Sequence, residues 1–265
     1  MTSIAVSPAV AGIGRWRAWL HDVGHGRQPQ WWLYVVAALG WVLLVALDVS
    51  RLAASDGDGH GSHAQPTAAT GFGVASAGHG AGMLAMMLVM TPLVAWNVRY
   101  VALRAPALLR VAVVWWVAGG WAAVWGFALV LLAAVAWLAS AAVDPVGFAL
   151  VASTVAVWWQ SSTWKRVALA RCHRVFAPPL SRAAAGPLCR GFGFRLGRSC
   201  AVSCGPMMLL MVAGGHSVAI VAPLTAVAWY ERRRRPHHDP ARAATSLVVV
   251  LVGAGAVALA AVAAR

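Results

Sequence analysis

The residues best suited to chemistry are sulfur-bearing and confined to two stretches. Apart from Met1, every methionine of the chain lies in "GMLAMMLVMTP" (82–92) or "CGPMMLLM" (204–211). At about 100° per residue, Met83, Met86, Met87 and Met90 share roughly a 100° arc of one helix face, about 10 Å deep. Cys200, Cys204, Met207, Met208 and Met211 share a similar arc over about 16 Å of a second helix. His79 stands just before the first stripe and His216 just after the second.

Soft thioether and thiolate ligands select Cu(I) over harder divalent ions. Zinc favours compact Cys/His sites, and calcium and magnesium need oxygen clusters that these helices lack. A metal on these stripes is therefore expected to be copper, as Cu(I). The expected metal ligands are Met83, Met86, Met87, Met90, Cys200, Cys204, Met207, Met208, Met211, His79 and His216. Packing is the competing reading, because methionine also fills irregular gaps in cores. Its absence from every other apolar segment favours the ligand reading.

Two stripes need two helices held face to face, and composition says in what solvent. The 265-residue chain is 61% hydrophobic and 11% charged, with a mean hydropathy of +0.72. Soluble domains are roughly half apolar and a quarter charged, so the expected fold is an all-α, polytopic membrane helix bundle. The same composition argues against a nucleic-acid binder, despite a net charge of +14. Lipid is the expected surrounding partner.

Seven spans are expected, near 31–50, 81–98, 111–139, 146–164, 196–213, 216–230 and 244–263. With the N-terminus cytoplasmic, 19 of the 21 Lys and Arg residues fall on the inner side. The expected placement is multi-pass in a bacterial inner membrane. Residues 1–30 form a cytoplasmic segment and 31–265 a single transmembrane domain. "AGGH" (213–216) reads as a tight outer turn, and residues 165–195 as a surface-lying inner connection. In this topology the ligands run from His outside through Met to Cys inside, an order suited to inward passage or to one buried site.

Other features carry less chemistry. His60 and His63, with Asp56 and Asp58, lie in a Gly/Ala/Ser-rich outer segment that reads as a polar loop. Cys172 and Cys189 fall on the reducing side, where a structural disulfide is not expected. Asp48 reads as interfacial, either as a partner for Arg51 or as a helper to the ligands. Pro206 is expected to interrupt the second sulfur helix. Gly119, Gly120 and Gly253 suit close helix approach. "GFGFRLG" (191–197) has the wrong spacing for a dinucleotide loop, no P-loop is present, and no catalytic residues are assigned.

"AMMLVMTP", "WKRVALARCHR", "RSCAVSCGPMMLLMVAGG" and the helix end with Glu231 before Arg232 together resemble a bacterial family of integral membrane proteins. That family is catalogued as domain of unknown function 2182 and regarded as metal-binding. The resemblance covers about 80–236. It departs at the cysteines: Ser203 and Gly205 flank Cys204 where the family has an adjacent Cys pair. One linker Cys is replaced at Ala168 or Leu169. What it implies is a membrane-embedded metal site on these motifs. The expected function is copper handling, with a copper enzyme or a copper chaperone as the protein partner. The alternative is a metal-free structural or assembly subunit of a membrane complex, in which the sulfur faces are contact surfaces.

Overall fold

A computed structural model describes the chain at residues 21–23, 28–57, 68–174, 184–233, 246, 248–256 and 259. Among these residues the fold is all-helical, with no strand. The principal helices are α1 (Trp31–Gly57), α2 (Ala68–Val89), α3 (Pro92–Arg104), α4 (Arg110–Ala142), α5 (Pro145–Ser161), α6 (Thr163–His173), α7 (Ala185–Ala213) and α8 (Val218–Arg233). A further helical stretch covers 248–256. His60, His63 and Asp58 lie outside the described residues, as does most of the arginine-rich run after Arg233.

Three helical segments are long and apolar enough to cross a membrane: Trp31–Arg51, Ala107–Ala139 and Ala185–Ala213. A bent pair, His79–Val89 with Pro92–Arg104, makes a fourth if taken as one broken span. The helices at three other expected positions are shorter. α5 has 17 residues, α8 has 16, and the last is described only at 246, 248–256 and 259. In the most apolar window of α4 only 6% of residues are buried, so Phe127, Val130, Leu131 and Trp137 face outward. Such a large exposed apolar surface is compatible with lipid as its solvent.

The span expected at 81–98 is broken. α2 stops at Val89, α3 begins at Pro92, and their axes differ by 45°. Proline removes a backbone donor but fits the first turn of a new helix. Met90 and Thr91 form the bend through i→i+3 backbone bonds to Met87 and Leu88. The Thr91 hydroxyl donates to the Leu33 carbonyl at 2.8 Å, tying the break to α1.

α4 and α7 form the central seam. A Cβ added at Gly193 would lie 2.2 Å from the Val117 carbonyl oxygen, and one at Gly120 would lie 2.5 Å from that of Arg190. Gly193 and Gly197 of "GFGFRLG" thus serve close helix packing, as does Gly120, whereas Gly119 meets nothing within 4 Å and Gly191 only the Arg195 side chain. α7 begins eleven residues before the expected start at 196, so 185–195 is core helix, with Cys189 and Phe192 buried. The connection read as surface-lying is therefore helical and partly buried at both ends. Pro206 lies inside α7 without ending it.

Local signals set the remaining ends. Asp144 caps α5 by accepting from the Gly147 N–H at 2.8 Å. Ser162 caps α6 by accepting from the Lys165 N–H at 3.1 Å, which fixes the first turn that carries Lys165. The expected turn after Ala213 is present. Gly215 and His216 both take positive φ (64° and 61°), and the His216 N–H bonds back to the Met211 carbonyl at 2.9 Å. A non-glycine residue held there is strained, so the turn constrains His216 tightly.

Candidate metal centre

The two sulfur faces share one interior. On α2, Met83 and Met86, and in the bend after it Met90, are at most 4% exposed, and Met87 is partly buried against the same core. On α7, Cys200, Cys204, Met207, Met208 and Met211 are at most 2% exposed and belong to that contiguous core. The sulfur-bearing residues of each helix sit on the face that turns inward.

One end of the core is closed by histidine. The strained turn points the His216 ring onto α2, so that a Cβ added at Gly82 would lie 2.8 Å from the ring. Glycine at 82 is what lets the imidazole sit flush on the helix backbone. The His79 ring meets it edge-on, with centroids 4.8 Å apart. Both ring nitrogens of His216, and Nε2 of His79, are buried without a hydrogen-bond partner among the described residues. Burial first, then the neighbouring His79 and Arg51, push the His216 pKa down to about 4. A neutral imidazole, with a lone pair free on one of its two nitrogens, is the form that ligates metals. This end is framed from outside the core. The Arg51 guanidinium donates to the Gly215 carbonyl. Asp48 accepts from the Val218 N–H at 2.9 Å and the Ser217 hydroxyl at 3.3 Å, capping α8 from a different helix.

The other end carries thiols and buried charge. Lys165, from the first turn of α6, is 1% exposed and pairs with Glu231 of α8 at 2.9 Å. Gln160 bridges them, accepting from the Lys165 ammonium and donating to the Glu231 carboxylate. The same ammonium lies 4.0 Å from the Met207 sulfur. Arg232 donates to the Cys200 sulfur at 2.9 Å. Cys204 lies 3.5 Å from the Ser203 hydroxyl. Cys172 ends α6 beside these groups, its carbonyl accepting from Asn97 Nδ2 at 3.2 Å. Its side-chain hydrogen bond with Cys200, and then the charge of Arg232, hold its pKa below the ordinary thiol value against the opposing effect of burial. All four cysteines are free.

Lys165, Glu231, Arg232 and Gln160 were not among the residues expected from sequence to form the site. One signal pointed to two of them: Lys165 is the chain's only lysine and Glu231 its only glutamate. Among the described residues no group of three or more His, Cys, Asp and Glu is arranged to hold an ion. Any site along this core must therefore draw on methionine sulfur or on pairs of ligands.

A family described as PpoB2, copper chaperone, matches residues 79–257. The matched range opens at His79 and takes in both sulfur stretches, the strained turn and the charged end. The chain belongs to the PpoB2 copper-chaperone family. That assignment supports the copper-related part of the reading drawn from the motifs. The chain matches no curated protein and no solved structure.

Proposed function

We propose that this PpoB2-family protein is a polytopic inner-membrane bundle that binds Cu(I) along its sulfur core and hands it to a copper enzyme or a second copper carrier. Copper is the cargo. His79 and His216 receive it. Met83, Met86 and Met87 on α2 and Met90 in the bend after it, with Met207, Met208 and Met211 on α7, hold it as soft thioether ligands. Cys200 and Cys204 bind it more strongly at the far end. The topology that goes with this reading has seven spans and a cytoplasmic N-terminus, which puts the histidine end outside and the thiol end inside. The exposed apolar faces of α1 and α4 and the lopsided distribution of basic residues support that placement.

The observation that carries the proposal is the His216 imidazole, whose two nitrogens are buried and unpartnered beside a thioether-lined core. A buried polar group without a partner costs about 1–3 kcal/mol. A ligand would offset that cost, and apolar packing alone would not. The test is a copper measurement. The full chain is purified in detergent, loaded with Cu(I) under reducing conditions, and assayed for copper per chain. Wild type is expected to retain copper. The Met86→Leu/Met87→Leu, Cys204→Ser and His216→Gln variants are expected to retain less. Near-zero copper in wild type would end the proposal.

A further inference from the structure

The proposed pathway uses Cys200 and Cys204 but gives Cys172 no role, although Cys172 is 2% exposed and touches Cys200. Three elements converge there. Cys172 closes α6, Cys200 lies one turn before Cys204 on α7, and Arg232 is near the end of α8. The Cys172 side chain interacts electrostatically with both Cys200 and Arg232, and Arg232 donates to Cys200. Its Nη1 lies 2.9 Å from the Cys200 sulfur, and its Nη2 is buried with no hydrogen-bond partner. The nearby carboxylate, Glu231, is paired with Lys165.

This arrangement is unbalanced as it stands. A guanidinium set against two neutral thiols leaves a partly buried positive charge with no counter-charge among the described residues, which is costly in a low-dielectric interior. We infer that Cys172 and Cys200 form a two-coordinate Cu(I) site with Arg232 as its built-in counter-ion. Cu(I) accepts two thiolate ligands. One Cu–S bond forms to each sulfur, each S–H bond breaks, and two protons leave to the solvent. Copper keeps its oxidation state. The resulting bis-thiolate complex carries a net charge of −1, which the +1 of Arg232 neutralises. The Lys165–Glu231 pair beside it is already neutral. The Asn97 bond to the Cys172 carbonyl ties the end of α6 to α3. Cys189, elsewhere on α7, is outside the site.

The inference rests on the copper-handling reading, and one experiment separates their fates. The full chain in detergent is titrated anaerobically with the Cu(I)–bicinchoninate complex. Copper per chain is read together with the ultraviolet thiolate-to-Cu(I) absorption and the copper X-ray absorption spectrum. Wild type is expected to develop the thiolate band and a copper population bound by two sulfurs. Cys172→Ser and Cys200→Ser should each weaken the band and remove the two-sulfur copper population, while copper on the methionine face remains. Arg232→Gln should weaken the thiol-bound copper about tenfold or more, and Cys189→Ser should leave it unchanged. If wild type binds copper without a thiolate band, or if Cys172→Ser leaves the band intact, the thiol site is overturned and the methionine pathway stands. If the band persists while Met86→Leu/Met87→Leu loses no copper, the thiol site stands and the methionine pathway fails. No copper in wild type overturns both. The wild-type X-ray spectrum decides the case even if a cysteine variant does not fold.

Discussion

The two ends of the sulfur core are built by different physics. At the histidine end, charges stay peripheral. Arg51 and Asp48 bond to backbone groups of the 214–218 turn, and the interior face offers only neutral imidazole and thioether. At the thiol end, charges are taken inside: a lysine–glutamate pair with a bridging glutamine, and an arginine on sulfur. The first design suits a weak, neutral receiving site. The second suits tight retention, because thiolates need compensating cations and a low-dielectric setting strengthens every such interaction. The contrast teaches that buried charge rises along the sulfur core from its histidine end to its thiol end.

The sharpest way to break the contrast is to remove one member of the buried pair. Lys165→Met alone leaves the Glu231 carboxylate buried and unpaired, and Glu231→Leu alone leaves the ammonium so. Each is expected to cost about 3–5 kcal/mol, read as lowered thermal stability in detergent. The double variant is expected to recover much of that loss, because apolar residues of similar volume often replace a buried pair without cost. Full additivity of the two losses would mean that the pair does not act as a unit.

At the histidine end the corresponding lever is pH. The folded pKa of His216 lies near 4, below its ordinary value of 6.5. Between these values the unfolded chain binds the proton and the folded chain does not. The contribution of His216 is therefore complete above about pH 6.5 and is lost as pH falls toward 4. At pH 5 the loss is on the order of 2 kcal/mol. Melting in detergent at pH 5 and pH 7 should show it, and His216→Gln should flatten the difference.

A smaller effect tests the frame around that histidine. Asp48→Ala removes the acceptor for the Val218 N–H and the Ser217 hydroxyl. The expected cost is about 1.5 kcal/mol, in the range for a charged capping acceptor. Because Asp48 lies outside the sulfur core, copper bound at the thiol end should stay unchanged, while affinity at the histidine end falls as the turn loosens. An equal loss at both ends would show that the two are one cooperative site.

Local chemistry was legible in the sequence, and long-range pairing was not. Helical periodicity placed Met83, Met86 and Met90 on one face and Cys200 through Met211 on another. "AGGH" announced a turn because glycine tolerates positive φ. Pro92 sat in plain view, yet the break it makes at 90–91 was read through as one span. Lys165 and Glu231 are 66 residues apart, and Cys172 and Cys200 are 28 apart, each on a different helix. Nothing in a wheel or a spacing brings such residues together. Only the way α6, α7 and α8 converge does so. The basic count hid them too, because it read Lys165 and Arg232 as topology signals and gave neither a site role.

The smallest expected change in stability is also the one that separates ligand from filler. Met86 on α2 and Met208 on α7 are both fully buried. Met→Leu is nearly isosteric, so Met86→Leu and Met208→Leu are each expected to cost less than about 1.5 kcal/mol. If these sulfurs only fill space, leucine serves as well and copper binding does not move. If they are thioether ligands, each swap removes a donor that leucine cannot replace, and Cu(I) affinity falls while the melting curve stays close to wild type. The same pair of variants divides the core. Loss of copper from the methionine face with the thiolate absorption intact would mean that the two ends bind copper separately. Loss of both would mean that copper reaches the thiols only by way of the thioethers.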